Sequence, residues 1–440
     1  MLLVFSLLFY SWGERGYTIL MVSTILVDYI AGILTDYFLK KGKKRRAKAA
    51  LVITVALNLL SLFIFKYLNF AADLFSFIPF VAGLEIPALA LPIGISFYTF
   101  QSLSYVIDVY RGDGEVQKNP ISFGAYVTMF PQLIAGPIVR YRDVDAALRE
   151  REHSVTLFAS GLRTFCCGLC KKVLLANAAG EMWEYYAAYG ADERTVLGAW
   201  LGAIFFTLQI YLDFSAYSDM AIGLGKMLGF RFLQNFNYPY ISESITEFWS
   251  RWHISLSSWF REYLYIPLGG NRCALPRAVF NLFAVWFLTG LWHGASVNFL
   301  LWGLMYFVLL SLEKYLWGGV VTKMPRVLRH IYVLFFTVVG FLIFASVDGR
   351  GGVSYLADML LLGGAPIASR LDFYELVRNF ASLSVMILAC TPHPRRLFYR
   401  LYEKSKAFRF ALPFVIILLF ALCTAFLVDS AFNPFLYFRF

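Results

Sequence analysis

Long apolar segments recur along the chain and decide what it can fold into. The clearest lie at about 17–39, 330–346 and 410–429, and each approaches the roughly 20 apolar residues that a membrane-spanning helix needs. Of the 440 residues, 59% are hydrophobic and only 15% are charged, whereas about 25% of a soluble domain is charged. The sequence therefore predicts an all-α polytopic membrane protein. It excludes a soluble enzyme, a disordered chain and a disulfide-stapled secreted module.

Basic loops predict how the spans are oriented. The most basic run is KKGKKRRAK at 40–48, and smaller basic loops lie at about 323–329 and 395–409. Because Lys and Arg concentrate in cytoplasmic loops, we expect all three loops to face the cytoplasm. The same loops explain the net charge of +11, so we expect no nucleic-acid partner. The apolar stretches predict about 10–11 spans within a single membrane domain, 1–440.

The segment at about 235–312 combines charged residues with many aromatic residues. Its apolar positions follow spacings of three, four and three: Trp249, Trp252, Leu256 and Trp259. This spacing places the four side chains on one face of a helix, with Arg251 and His253 pointing elsewhere. Since charge at membrane depth is tolerated only beside a protein cavity, we predict a re-entrant or interfacial helix that lines one. An amphipathic helix lying on the membrane surface is the alternative.

The following residues, 279–312, carry no Asp, Glu, Lys or Arg. As one helix they would extend about 50 Å, well beyond the roughly 30 Å hydrocarbon core. We expect a break at Gly290-Leu-Trp-His-Gly294-Ala-Ser296, where two glycines four residues apart allow close helix approach. His293 would then end a half-helix and face a polar pocket, where a neutral imidazole can accept a proton near pH 7. A histidine that only hydrogen-bonds a neighbouring helix is the alternative.

Two acidic residues fall within another apolar region. Asp213 and Asp219 are six residues apart, which rotates them about 240° around a helix, so we expect no acid–base pair. We expect Asp213 to cap a helix that begins near Phe214, between spans at about 194–212 and 214–230. An Asp213 that lines a polar cavity is the alternative.

Other chemistries have weaker support. The pair Cys167 and Cys170 has no second pair or nearby His, so we expect no metal site. Ser296 follows His293 by three residues but does not form the G-x-S-x-G elbow of a serine nucleophile.

Several motifs together resemble the membrane-bound O-acyltransferase family, and its bacterial branch in particular. They are EFWSRWHISLSSWFREYLYIPLGGNR (247–272), LTGLWHGASVNFLLWG (288–303), PIGISFYTFQSLSYVIDVYRG (92–112), FPQLIAGPIVRY (130–141), YLDFSAYSDMAIGLG (211–225) and NPFLYFRF (433–440). That branch acts in alginate and peptidoglycan O-acetylation and in D-alanyl transfer to teichoic acids. The resemblance covers nearly the whole chain. Family members usually open with an additional hydrophobic helix before the segment that matches LLVFSLLFYSWGERGY.

The resemblance implies a fold and a site. The fold is a ring of about 10–11 tilted transmembrane helices, with re-entrant helices, around a central tunnel in the bacterial inner membrane. The catalytic region is about 235–312. His293, in LWHG, matches the family's presumed catalytic residue, and His253, in RWHISL, matches a position that is Asn, Asp or His in other branches.

Residues and resemblance converge on one hypothesis, transfer of a short acyl group from a cytoplasmic thioester to a hydroxyl outside. We expect an acetyl group, acetyl-CoA or another acyl thioester as donor, and no bound cofactor. His293 is the predicted general base, and His253 would orient the thioester or polarise its carbonyl. Backbone N–H groups near Gly294 would help to hold the oxyanion.

The remaining expectations concern the cavity wall and the partners. Asn235, Arg251 and Trp252 are predicted to line the wall, where Arg251 would contact a donor phosphate or extend its charge to the membrane interface. Expected partners are the lipid bilayer, the donor, and an extracytoplasmic acyltransferase or relay protein.

Three alternatives stay open. Within the enzyme class, the chain would transfer D-alanine from a carrier-protein thioester to teichoic acid. In other classes, it would transport a polysaccharide precursor, because broken helices and midplane polar residues also suit transporters, or it would recruit a soluble acyltransferase without being catalytic.

Overall fold

A computed structural model describes residues 1–82, 87, 89–346, 350–429 and 435. Its regular elements are all helices in these residues, so the all-α polytopic class is confirmed. By residue contacts the chain divides into two compact units. Unit 1 comprises Met1–Leu162 and Ala221–Leu233, and unit 2 comprises Arg163–Met220 and Gln234–Phe440. The expectation of a single domain, 1–440, stays a prediction.

Unit 1 is built on a hairpin of two long apolar helices. Its helices are α1 (Leu2–Gly13), α2 (Tyr17–Lys40), α3 (Lys44–Leu62), α4 (Leu68–Leu74), α5 (Pro79–Ala82), α6 (Ile95–Arg111), α7 (Pro120–Thr128) and α8 (Tyr141–Arg149). A tight turn joins α2 to α3, and it contains Gly42 at φ +69°, which glycine adopts without strain. Helix α6 packs against both, and Gly32 of α2 lies directly against the Tyr105 ring.

Two helices contribute residues to both units, α9 (Val155–Cys170) and α11 (Val196–Met227). The remaining helices are α10 (Asn177–Ala187), α12 (Ile245–Arg251), α13 (Ile254–Phe260), α14 (Leu275–His293), α15 (Val297–Leu312), α16 (Gly318–Lys323), α17 (Arg326–Ala345), α18 (Arg350–Met359), α19 (Arg370–Arg378), α20 (Phe380–Ala389), α21 (His393–Lys404) and α22 (Lys406–Asp429). Short π-helical turns continue α13 at Arg261–Tyr265 and α15 at Glu313–Trp317. The main hydrophobic core of unit 2 collects around α11, α12, α14, α15 and α17.

Seven helical segments of the described residues are long and apolar enough to cross a membrane. They are Tyr17–Lys40, Lys44–Leu74, Val196–Met227, Leu275–His293, Val297–Lys323, Arg326–Ala345 and Lys406–Asp429. The 10–11 spans expected from the sequence also counted shorter apolar stretches, two of which form α1, with 12 residues, and α20, with 10. Helices of that length extend only about 15–18 Å, short of the roughly 30 Å hydrocarbon core.

The acidic residues of α11 do not end a helix. Helix α11 runs without a break through Asp213, so the predicted cap and the predicted division near Phe214 are wrong. Asp213 instead pairs with the buried Lys172 at 2.8 Å, and Asp219 pairs with Lys171 at 2.6 Å. Each carboxylate is thus neutralised by its own lysine, and the Asp213–Lys172 pair is buried, whereas the Asp219–Lys171 pair is partly exposed.

Candidate active site

The hairpin of α14 and α15 positions the first histidine. Helix α14 ends at His293 and α15 begins at Val297, so the predicted break at 290–296 is confirmed. The expected half-helix is wrong, because α14 has 19 residues and is long enough to be a span. A Cβ at Gly290 would lie 2.5 Å from the carbonyl oxygen of Phe299, and one at Gly294 would lie 2.1 Å from the Phe299 ring. Both glycines therefore permit the close helix approach that their spacing predicts.

Aromatic rings enclose His293, which is 8% exposed. Trp302 and Phe344 meet the imidazole edge-on, with ring centroids at 5.0 Å and 5.2 Å. Trp292, the preceding residue, is also 5.0 Å away. These rings fix the position of the imidazole by packing and keep the surrounding space largely apolar.

The second histidine lies at a break that the sequence did not predict. Helix α12 ends at Arg251 and α13 begins at Ile254, with His253 between them at φ +43° and ψ 54°. This left-handed conformation costs a non-glycine residue about 1–2 kcal/mol, and it divides the single helix expected for this segment. The four apolar side chains at 249–259 are nevertheless all buried. Trp249 packs against Trp286 and Trp302, so the surface-helix alternative is wrong.

A hydrogen-bond network fixes the His253 ring and its tautomer. Oδ1 of Asn235 accepts the backbone N–H of Ser255 at 3.1 Å and its hydroxyl at 2.9 Å. Since a backbone N–H can only donate, the amide atom that faces it is the oxygen. Nδ1 of His253, 3.1 Å from the same oxygen, must therefore carry the proton and donate.

The other imidazole nitrogen is left as an acceptor. Nε2 of His253 is buried and has no hydrogen-bond partner within the described residues. His253 is 1% exposed and lies outside the seven candidate spans. Burial lowers the pKa of its imidazole to about 3, so the ring stays neutral at physiological pH.

Both histidines line one cavity of about 530 Å³ in unit 2. The apolar part of its wall consists of Trp249, Trp252, Leu256, Phe260, Leu282, Val285, Trp286 and Leu310. Polar groups complete the lining: Thr246, Ser257, Arg261, Tyr265, Asn271, Thr289 and Lys314. A volume of this size suits a small-molecule site with a few polar groups in a mostly apolar wall.

The cavity is elongated, with different chemistry at its two ends. Along α14 its lining extends from Leu282 to His293, a span of twelve residues or about 16 Å of helix. Along α13 and its continuation the lining extends from His253 to Tyr265. Since α15 returns antiparallel to α14, Lys314 lies at the end opposite His293. The imidazoles therefore share one end, and the cationic groups occupy the other.

The cationic end is organised by Lys314. Its Nζ hydrogen-bonds the Tyr265 hydroxyl at 3.0 Å and also contacts Oδ1 of Asn271. Arg261 lines the same end and is exposed. Two cations beside hydroxyl and amide groups make this end suited to an anionic group such as a phosphate.

The predicted site residues divide into cavity and support. His253, His293 and Trp252 line the cavity. Asn235 lies behind His253 as its hydrogen-bond partner, and Gly294 follows His293 against the Phe299 ring. Arg251 lies outside the cavity lining, where it pairs with Glu247 at 2.8 Å and donates to the Asn237 carbonyl at 3.0 Å. The chemical roles of all six residues stay predictions.

Sequence reasoning missed the buried Glu313. Its carboxylate accepts the backbone N–H groups of Ile245 and Thr246 at 2.7 Å and 2.9 Å, and the Thr246 hydroxyl at 2.7 Å. This carboxylate fixes the start of α12 against the end of α15. Glu313 and Lys314 are the first charged residues after the long uncharged run, and that position is the signal that could have identified them.

Among the described residues, no group of three or more His, Cys, Asp or Glu side chains could hold a metal ion.

Comparison with known proteins places this geometry in a family. Residues 116–345 match the sequence profile of MBOAT, the membrane-bound O-acyltransferase family. The chain belongs to this family. The resemblance seen in the motifs is thus confirmed, together with the expected classes of O-acyltransferase and multi-pass bacterial membrane protein.

Three relatives in the family illustrate the similarity. "Probable alginate O-acetylase AlgI" of Pseudomonas aeruginosa is 42% identical over 349 residues, which cover 79% of this chain and 66% of that protein. A protein of the same name from Pseudomonas putida is 38% identical over 466 residues, covering 100% of this chain and 94% of the relative. "Peptidoglycan O-acetyltransferase" of Helicobacter pylori is 31% identical over 400 residues, covering 83% and 74%. The chain thus spans about two thirds of the length of the Pseudomonas aeruginosa relative.

Proposed function

We propose that this membrane-bound O-acyltransferase moves an acetyl group from a cytoplasmic thioester to a hydroxyl on the opposite side of the membrane. The observation that carries the proposal is the presence of two imidazoles at one end of an elongated cavity whose other end is cationic. The acyl donor would enter from the cationic end and present its thioester to the imidazoles. Relatives named for O-acetylation of alginate and peptidoglycan support acetyl as the transferred group.

His293 is the proposed general base. A hydroxyl becomes an effective nucleophile as its proton is removed, and a positioned base contributes typically about 10²–10⁴-fold. The hydroxyl oxygen attacks the thioester carbonyl carbon while its proton passes to His293. The carbon–sulfur bond then breaks, and the leaving thiolate takes that proton from the imidazolium. The reaction balances as an ester and a free thiol.

His253 is the proposed orienting residue. Its Nδ1–H donates to Asn235, so its Nε2 can only accept a hydrogen bond while the ring is neutral. This tautomer suits contact with an N–H or O–H of a substrate. Of the two roles considered for His253, it favours orienting the thioester over polarising the carbonyl, which would need a donor.

Lys314 and Arg261 are the proposed contacts for the donor's phosphate. The positive-inside rule assigns the basic loop of 323–329 to the cytoplasm. Lys314 lies only nine residues before Lys323, the first residue of that loop. That placement supports donor entry from the cytoplasmic side. Acetyl-CoA carries phosphates at one end of a long, narrow pantetheine arm and the thioester at the other, which fits an elongated cavity with one cationic end and imidazoles at the opposite end.

The proposed acceptor is a hydroxyl of an extracytoplasmic polysaccharide or of a relay protein that passes the acyl group on. The full chain in lipid nanodiscs, supplied with [¹⁴C]acetyl-CoA and short alginate oligosaccharides, tests this proposal. We expect free CoA to appear together with labelled ester, and His293→Gln to lower the rate of both by about 10²–10⁴-fold. Transfer from a D-alanyl carrier protein alone would support the alternative donor. If vesicles that contain the His293→Gln variant transport oligosaccharide without forming an ester, the transporter alternative would be supported.

The donor end can be tested separately. Lys314→Gln should raise the KM for acetyl-CoA about tenfold with little change in kcat, because it removes a charged contact made equally in ground and transition states. Lys323→Gln is the matched control, since Lys323 is exposed and lies outside the cavity lining. Equal effects of the two substitutions would contradict a phosphate contact at Lys314.

A further inference from the structure

A second cavity, of about 470 Å³, lies in unit 1 between α2 and α3. It is lined from Val27 to Phe38 on α2 and from Arg46 to Leu57 on α3. On each helix the lining positions recur every three or four residues, which is one face. Small side chains, among them Ala31 and Ala50, form part of the wall and leave room between the helices.

The groove has the dimensions and the openness of a site in one bilayer leaflet. Its lining spans twelve residues of each helix, or about 16 Å, and this is roughly half of the 30 Å hydrocarbon core. Ile30, Ile53 and Leu57 line it and are exposed on apolar helices that are long enough to be spans. The groove therefore opens towards the region that lipid chains occupy.

Basic residues gather at one end of the groove, around the α2–α3 turn. Lys40 pairs with Asp36 at 2.7 Å. Lys43, Lys44, Arg45 and Arg46 are exposed, and no ion pair to them exists within the described part of the chain. Arg46 also lines the groove, so an unneutralised guanidinium lies where the apolar wall ends.

We infer that this groove binds an anionic glycerophospholipid, with one acyl chain between α2 and α3 and the phosphate against Arg46 and the basic turn. The positive-inside rule assigns the turn to the cytoplasmic face, where anionic lipids attract clusters of Lys and Arg beside a membrane helix. A neutral lipid would fill the apolar groove equally well but would leave the cationic cluster without a counter-charge. The preferred occupant is therefore distinguished by its net charge.

Native mass spectrometry of the delipidated full chain, titrated with dioleoylphosphatidylglycerol or dioleoylphosphatidylcholine, tests this inference. We expect one tightly bound phosphatidylglycerol and weaker phosphatidylcholine binding. Arg46→Glu should lower the phosphatidylglycerol affinity about fivefold or more, since one basic residue near an anionic lipid contributes a factor of about five. Ala49→Trp, on the groove wall, should lower the affinity for both lipids by obstructing the chain site.

Matched controls separate the groove from a diffuse surface attraction. Lys48→Glu makes the same charge change as Arg46→Glu on the same helix, outside the groove lining, and Ala56→Trp adds the same bulk at an exposed position outside it. Both should leave the affinities within about twofold of the wild type, and thermal unfolding should verify that all four variants are folded. Equal effects of Lys48→Glu and Arg46→Glu, or equal binding of the two lipids, would overturn the inference.

Discussion

The segment around His253 is a left-handed break in the backbone with a hydrogen bond to Asn235, whereas the segment around His293 is the end of a regular helix among aromatic rings. His253 has a left-handed backbone and a side chain bonded to Asn235 at 3.1 Å. His293 ends a regular helix and is surrounded by Trp292, Trp302 and Phe344. The two residues share a cavity but differ in backbone conformation and in surroundings.

Hydrogen bonding determines which nitrogen of a histidine can act, and packing determines only where the ring lies. The bond to Asn235 commits Nδ1 of His253 as a donor and leaves Nε2 as an acceptor. His293 lies at the end of α14 among the ring edges of Trp302 and Phe344, and its proposed task is proton exchange. The fixed tautomer of His253 supports its proposed role as the residue that orients, which leaves proton exchange to His293.

The largest expected effect comes from replacing each histidine in turn. His293→Gln should lower acetyl transfer by about 10²–10⁴-fold, the usual contribution of a general base. His253→Gln should lower it about tenfold, because one orienting hydrogen bond is lost. Radiolabelled transfer by the two variants in nanodiscs measures both effects. A larger loss at 253 than at 293 would reverse the proposed roles.

The next expected effect concerns stability against pH. The pKa of His253 is lowered to about 3 by burial, so below pH 6.5 the unfolded chain binds a proton that the folded protein does not. The free energy of unfolding should therefore fall as the pH is lowered from 6.5, by up to about 1.4 kcal/mol per pH unit. Thermal midpoints from pH 7 to pH 4.5 should decrease less in His253→Gln than in the wild type. Parallel curves for the two proteins would show that this ring is not held neutral.

A comparable effect on stability is expected from removing the partner of His253. Asn235→Leu leaves the His253 Nδ1–H and the Ser255 backbone N–H without their acceptor, at a cost of about 1–3 kcal/mol. The substitution should lower both the thermal midpoint and the transfer rate. Asn237→Leu, at an exposed position nearby, is the control and should change neither by much. Wild-type values in Asn235→Leu would mean that the network does not fix the ring.

The smallest expected effect tests the backbone at 253. His253→Gly should be more stable than His253→Ala by about 1 kcal/mol, because glycine adopts the left-handed conformation without a Cβ penalty. At Ser250, inside α12, the order should reverse, with Ala more stable than Gly by about 0.5–1 kcal/mol. Thermal unfolding of the four variants measures both differences. The same order at both positions would contradict the left-handed turn.

The part of the site that the sequence predicted is the part encoded locally. Gly290, His293 and Gly294 lie within five residues, and the length of the uncharged run required a break there. The spacing of Trp249, Trp252 and Trp259 likewise identified side chains that are all buried. It failed to reveal the break at His253, because a hydrogen bond to a residue 18 positions away maintains that left-handed turn.

The acidic residues of α11 show the same difference between what neighbouring residues encode and what contacts between distant residues decide. The sequence alone favoured a helix cap at Asp213, because a carboxylate within an apolar stretch needs a partner and the nearest free backbone N–H groups are at a helix start. The partner is Lys172, 41 residues earlier in the sequence. Only folding could bring that ammonium to 2.8 Å from the carboxylate.

By itself the sequence determined the membrane class, the helical architecture and the two histidine motifs, because hydropathy and spacing are properties of neighbouring residues. The tertiary structure decided which nitrogen of His253 is free, that both imidazoles share one cavity, and that Lys314 lies at its opposite end. It also brought the Glu313 carboxylate to the start of α12, 68 residues before it in the chain. Such contacts depend on side-chain positions across packed helices, and no local pattern specifies them.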